Sequence, residues 1–112
     1  MKTFDDRQKG FERKFAHDEE MQFKATARRN RLLGLWAAGR MGITDPDEAR
    51  DYAQSVVRAD VVEKGDQDVF DKVWGDLQAK NVAVTEEKLR EQMEGLLAEA
   101  KTQIMEDIEP GS

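Results

Sequence analysis

Apolar residues recur at intervals of three and four along most of the chain, which is the spacing of one face of an α-helix. Four such stretches are separated by glycine, proline or asparagine, and they begin next to residues that favour helix N-termini. No stretch alternates apolar and polar residues, and no Asn-Gly hairpin turn occurs. The pattern therefore predicts an all-α protein built as a four-helix bundle.

The first two predicted helices have well-marked boundaries. The first follows Asp18 as N-cap and runs to about Arg40. The second has Asp45 as N-cap and Pro46 at its first helical position, and it stops near Gly65. We expect their apolar faces to be buried: Met21, Ala25, Leu32, Leu35 and Trp36 in the first helix, and Ala49, Tyr52, Ala53, Val56 and Val57 in the second.

The third predicted helix starts at Asp66 and ends before Asn81, and the fourth is capped by Thr85. Their expected buried residues are Val69, Phe70, Val73, Trp74 and Leu77 in the third helix, and Leu89, Met93, Leu96, Leu97, Ala100 and Ile104 in the fourth. Connections of about three to six residues predict antiparallel or steeply crossed neighbours. The two longer helices, the first and the fourth, should frame two shorter ones.

Residues 1–17 differ from the rest of the chain. Phe4, Phe11 and Phe15 would share one face of a helix, but Gly10 lowers helix stability by about 1 kcal/mol. An isolated helix of this length is also marginal in water. We therefore expect a mobile amphipathic segment at 1–17, a four-helix domain at 18–108 and a frayed tail at 109–112. The segment needs a hydrophobic groove, either on the protein's own body or on a partner, and disordered segments commonly fold on binding a partner.

Composition excludes several classes of function. The 112 residues include no Cys and one His, so thiol chemistry is excluded and metal binding or general-base catalysis has little support. The side chains of His17, Asp18 and Glu19 would point in different directions at a helix start, and no motif supports a triad of Ser55 with His17. We expect neither an enzyme nor a metal site.

Without a long apolar run or a secretion signal, we expect a soluble cytoplasmic protein that does not insert into a membrane.

Charge is unevenly distributed along the chain, whose net charge is -6. Residues 1–31 hold nine basic and six acidic residues, a net +3, whereas residues 32–112 hold nine and eighteen, a net -9. The acidic body disfavours nucleic-acid binding. Lys24, Arg28 and Arg31 form a basic stripe on the first helix, with Arg29 beside it. This stripe is a solvated face, a contact for acidic residues, or a weak site for a phosphate-bearing ligand such as a nucleotide; we expect no other cofactor.

The N-terminal third contains closely spaced segments that resemble those of a known protein family: Phe4-Asp5-Asp6-Arg7, Gly10-Phe11-Glu12, Lys14-Phe15-Ala16-His17-Asp18-Glu19-Glu20, Phe23-Lys24, Ala27-Arg28-Arg29-Asn30 and Leu32-Leu33-Gly34-Leu35-Trp36-Ala37-Ala38. A looser set follows in the second and third predicted helices, including Tyr52-Ala53, Val56-Val57 and Asp68-Val69-Phe70. Together these residues resemble the zeta subunits of alphaproteobacterial F-type ATP synthases.

The resemblance implies a small four-helix inhibitor of ATP hydrolysis, whose N-terminal segment inserts between α and β subunits of the catalytic head. Carried over by position, the inhibitory stretch is Phe4 to about Glu19. Its candidate contacts are the apolar anchors Phe4, Phe11 and Phe15 and the charged residues Arg7, Arg13 and Lys14. We expect the free protein to be monomeric. The alternative is a helical module that binds a nucleotide or another partner through the basic face of the first helix.

Overall fold

A computed structural model describes residues 18–60 and 65–108 of the chain. Within these ranges the protein forms four α-helices and no strand: α1 (Glu19–Arg40), α2 (Pro46–Arg58), α3 (Gln67–Ala79) and α4 (Glu86–Ile108). Two long helices of 22 and 23 residues accompany two of 13, and none of the described helices is both long and apolar enough to cross a membrane. The predicted all-α four-helix fold is confirmed. The predicted segment 1–17 and tail 109–112 lie outside the described residues.

Three helices begin at the predicted capping residues. The side chains of Asp18, Asp45 and Thr85 each accept a hydrogen bond from the backbone amide three residues later, at 3.1, 3.0 and 3.1 Å. Each bond satisfies an amide that has no partner within its helix, which stabilises the helix by about 1 kcal/mol. Asp66 precedes α3 as predicted, but its carboxylate makes no capping bond and accepts from the Arg90 guanidinium at 2.6 Å.

The end of α2 was predicted wrongly. The helix ends at Arg58 rather than near Gly65, so the connection to α3 spans residues 59–66, longer than the predicted three to six residues. The reason is a tertiary contact: the Asp60 carboxylate accepts a hydrogen bond at 3.1 Å from the Asn30 side chain of α1. This bond draws the chain toward α1 immediately after α2, and the Asp60 amide closes the turn on the Val57 carbonyl at 3.3 Å.

The main core lies where the four helices meet. It contains Leu33 and Ala37 of α1, Val56 of α2, Val69, Phe70, Val73 and Leu77 of α3, and Leu89, Met93 and Leu96 of α4. A smaller cluster of Met21, Ala25 and Ile104 joins the start of α1 to the end of α4, which makes these two long helices antiparallel. The predicted core positions of α3 and α4 are confirmed, with Trp74 and Leu97 partly buried.

The buried face of α1 differs in part from the prediction. Met21 and Ala25 are buried as expected, whereas three predicted core residues are only partly buried: Leu32, Leu35 and Trp36. The buried positions in that half of the helix are Leu33, Gly34, Ala37 and Ala38. A Cβ atom on Gly34 would lie 2.5 Å from the Ala53 Cα, so α1 and α2 nearly touch at this point. This close approach fixes the rotation of α1, because it requires the glycine to face α2.

Candidate functional site: a basic groove between α1, α2 and α4

A groove of about 940 Å³ lies between α1, α2 and the end of α4. All three residues of the predicted basic stripe line it: Lys24, Arg28 and Arg31. From the facing side, α2 adds Arg50 and Arg58, and α4 contributes the Asp107 carboxylate. Five cationic side chains therefore share the groove with one carboxylate, on a chain whose net charge is -6. The groove concentrates positive potential on an otherwise acidic protein.

The floor of the groove is apolar. Met21, Ala53 and Ile104 line it and are buried, while Ala27 and Val57 are half-buried. Charged groups at the rim above an apolar floor suit a ligand or partner that carries both an apolar part and negative charge.

The three stripe residues differ in how their charges are balanced. Lys24 Nζ lies 3.3 Å from the Glu20 carboxylate, and both side chains are exposed, so this pair contributes little stability. Arg28 Nη2 lies 2.9 Å from the Asp107 carboxylate and links α1 to α4. Arg31 is exposed and makes no ion pair with any carboxylate of the described residues. Arg31 is therefore the stripe residue whose charge is most available to a ligand.

Arg29 does not belong to the groove. The residue is 4% exposed; its Nε donates to the Asn30 Oδ1 at 2.7 Å, and its Nη1 lies 3.9 Å from the Asp66 carboxylate. Burial lowers the pKa of the Arg29 guanidinium, while Asp66 and Asp60 act in the opposite direction. An arginine remains charged at neutral pH even so. Arg29 and Asn30 thus hold the two ends of the 59–66 connection, at Asp60 and Asp66, against α1.

The half of the groove that α2 supplies was not predicted from the sequence. Arg50, Gln54 and Arg58 recur at intervals of four, a helical spacing comparable with the intervals of four and three that identified the stripe on α1, so that signal was present. Phe23, which lines the groove beside Lys24, was likewise absent from the predicted site. The packing of α1 against α2 determines which helix faces the stripe. That packing could not be derived from the sequence of either helix alone.

The predicted partner-binding residues of the N-terminal segment lie outside the described residues: Phe4, Arg7, Phe11, Arg13, Lys14 and Phe15. His17 lies outside them as well. Within residues 18–60 and 65–108, no three His, Cys, Asp or Glu side chains are grouped so as to hold a metal ion.

Comparison with known proteins identifies relatives over most of the chain. The family model described as ATPase inhibitor subunit zeta matches residues 1–103. A protein whose structure was solved by solution NMR is 50% identical to this chain, with a TM-score of 0.68. That match covers 78% of this chain and 98% of the other. No curated protein matches the chain.

Proposed function

Since the chain belongs to the ATPase inhibitor subunit zeta family, we propose that it inhibits ATP hydrolysis by inserting residues 1–17 at an α/β interface of the F-type ATP synthase head. Family membership supports an inhibitory role, an association with the ATP synthase and a non-catalytic protein. The observation that carries the proposal is that the family match begins at residue 1 and so includes the amphipathic segment. We place the protein in the cytoplasm, on the catalytic head.

The proposed inhibition is steric. Phe4, Phe11 and Phe15 are spaced so that one helical face would carry all three, and that face would fill an apolar groove between the subunits. Arg7, Arg13 and Lys14 supply the charges around that face. The segment precedes α1 in the sequence, and α1 begins after its N-cap Asp18, so insertion of the segment would be limited by the bundle that follows it. A segment held in the interface blocks its opening and closing without any chemistry of its own.

The test is a titration of the purified catalytic head with the full chain while ATP hydrolysis is followed. If apolar anchoring dominates, Phe11→Ala should remove roughly 1.5 to 3 kcal/mol of binding free energy, a loss of about tenfold or more in inhibitory affinity. The control Lys9→Ala, two residues away, should cost under about 1 kcal/mol. Raising salt should slow association and leave dissociation nearly unchanged.

One pattern of results would contradict apolar anchoring. Phe4, Phe11 and Phe15 would each tolerate replacement by Ala without weaker inhibition, while Arg7→Ala or Lys14→Ala eliminated it. Charge attraction would then be the main source of affinity.

The groove supports a second candidate function, weak binding of a phosphate-bearing ligand such as a nucleotide. Lys24, Arg28 and Arg31 lie together along one side of the groove, and the charge of Arg31 is not balanced by a described carboxylate. Phosphate oxygens accept charge-assisted hydrogen bonds from guanidinium groups, each worth about 1.5 to 3 kcal/mol.

Isothermal titration of the free protein with ADP tests this second function. Arg31→Ala should weaken binding about tenfold or more. Arg40→Ala is the matched control, because Arg40 is an exposed cation of the same helix that does not line the groove. Equal effects of the two substitutions would show that net charge, rather than the groove, attracts the nucleotide.

A further inference from the structure

Phe23 is the one large apolar side chain that is fully on the surface among the described residues, with 74% of its area exposed. A single exposed apolar residue is ordinary by itself. Phe23, however, is followed by Ala27 and Arg31 at spacings of four, so the three residues form a stripe along α1 at the edge of the groove. Lys24 lies beside this stripe. We call these four residues the Phe23 patch.

We propose that the Phe23 patch is a second contact with the ATP synthase head, in which Phe23 enters an apolar pocket edged by carboxylates. The inference rests on the proposed inhibitory function and extends it from the N-terminal segment to the bundle.

The chain length between the two contacts supports this occupant. Phe23 follows Phe15 by eight residues, which span about 12 Å as helix and at most about 28 Å when fully extended. A head that holds Phe15 therefore brings the Phe23 patch close to its own surface. Because the two contacts are tethered, the second forms as an intramolecular event at high effective concentration.

The charge of the patch indicates the chemistry of the facing surface. Arg31 has no described carboxylate partner, and the exposed pair of Lys24 with Glu20 is weak. The patch thus presents an aromatic ring beside available positive charge. Aromatic and arginine side chains are enriched at the centres of protein interfaces. A facing pocket with carboxylates at its edge would match both features.

The test measures association and dissociation rates of the full chain on immobilised catalytic head, together with inhibition of ATP hydrolysis. The dissociation rate of Phe23→Ala should be higher than that of the wild type by about tenfold or more, and its association rate should change little. Phe23→Leu should keep most of the affinity, and Arg31→Glu should slow association. Gln78→Ala is the control, because Gln78 is exposed on α3, which lines no part of the groove. All four variants should unfold at the wild-type denaturant midpoint, since they alter exposed positions.

The outcomes separate this inference from the proposed function. If the wild type inhibits the head and Phe23→Ala dissociates from it at the wild-type rate, the Phe23 contact is overturned. The inhibitory function is then unaffected. Wild-type binding without inhibition overturns the inhibitory function, while the rates of Phe23→Ala still decide the contact. A wild type that does not bind overturns both. If Phe23→Ala weakens ADP binding by the free protein but leaves dissociation from the head unchanged, the contact is also overturned. Phe23 is then assigned to the ligand of the groove.

Discussion

Replacing Gly34 with alanine tests the contact that positions α1 against α2. The added Cβ would lie 2.5 Å from the Ala53 Cα, 3.0 Å from the Ala53 Cβ and 3.3 Å from the Val56 Cγ2. Carbon atoms in packed proteins are separated by about 3.5 to 4.0 Å, so the helices must move apart by about 1 Å. The nearest atom belongs to the backbone, which cannot swing aside as a flexible side chain does.

The expected cost follows from two opposing effects. Overpacking a protein core typically costs about 1 to 3 kcal/mol, and the backbone clash places Gly34→Ala in the upper part of that range. Exchanging glycine for alanine inside a helix returns about 1 kcal/mol. The free energy of unfolding should therefore fall by about 1 to 2 kcal/mol.

Gly95→Ala is the matched control for this substitution. Gly95 lies inside α4, the other long helix, is exposed, and has no atom within 4 Å of an added Cβ. Only the helix-propensity effect remains there, so Gly95→Ala should stabilise the protein by about 0.5 to 1 kcal/mol. Urea unfolding followed by far-ultraviolet circular dichroism measures both changes. A Gly34→Ala protein at least as stable as the wild type would refute the close approach of α1 to α2.

Two further predictions concern polar contacts between helices. Tyr52, the chain's single tyrosine, donates from its hydroxyl to the Asp76 carboxylate at 2.8 Å, and burial together with this bond raises the pKa of Tyr52. The stability that this hydrogen bond contributes should be fully present below the unfolded tyrosine pKa of about 10 and should decline as pH rises above that pKa. Tyr52→Phe should therefore lower the free energy of unfolding by about 1 kcal/mol at neutral pH, and by progressively less above a pH of about 10. A spectroscopic titration that ionises Tyr52 near its ordinary pKa in the folded protein would contradict this. Asp66→Asn removes the negative charge of a carboxylate that faces the buried Arg29 and accepts a hydrogen bond from Arg90. This substitution should lower the free energy of unfolding, measured in urea, by about 1 to 3 kcal/mol. The exposed Asp71→Asn, in the helix α3 that Asp66 precedes, should change stability by under about 0.5 kcal/mol, and equal effects of the two substitutions would refute the role of Asp66.

Features that depend on a few neighbouring residues were predictable from the sequence. Asp18, Asp45 and Thr85 each bond an amide three residues away, so their capping roles need no knowledge of the rest of the fold. The apolar faces of α3 and α4 were also predictable, because polar residues separate their apolar positions clearly.

The rotation of α1 required the tertiary structure. Apolar residues occupy most positions from Leu32 to Ala38, so several faces of that half of the helix suit burial equally. The contact of Gly34 with Ala53 decides among them, and it joins residues of different helices. The early end of α2 has the same origin, since Asp60 bonds to Asn30 of α1.

The same limit applies to the candidate site. The basic residues of α1 were identified by their spacing, but the groove exists only where α2 and the end of α4 face them. The sequence likewise could not distinguish Arg29 from its neighbours, because only the bundle shows that Arg29 is buried against Asp66 and Asn30.

The most direct test of the inhibitory mechanism compares the full chain with a chain that lacks residues 1–17. The core clusters of the described structure begin at Met21, so the shortened chain should keep its helical circular dichroism and unfold cooperatively. It should leave ATP hydrolysis by the purified catalytic head unaffected at concentrations where the full chain inhibits completely. Full inhibition by the shortened chain would contradict the mechanism and place the inhibitory surface on the bundle.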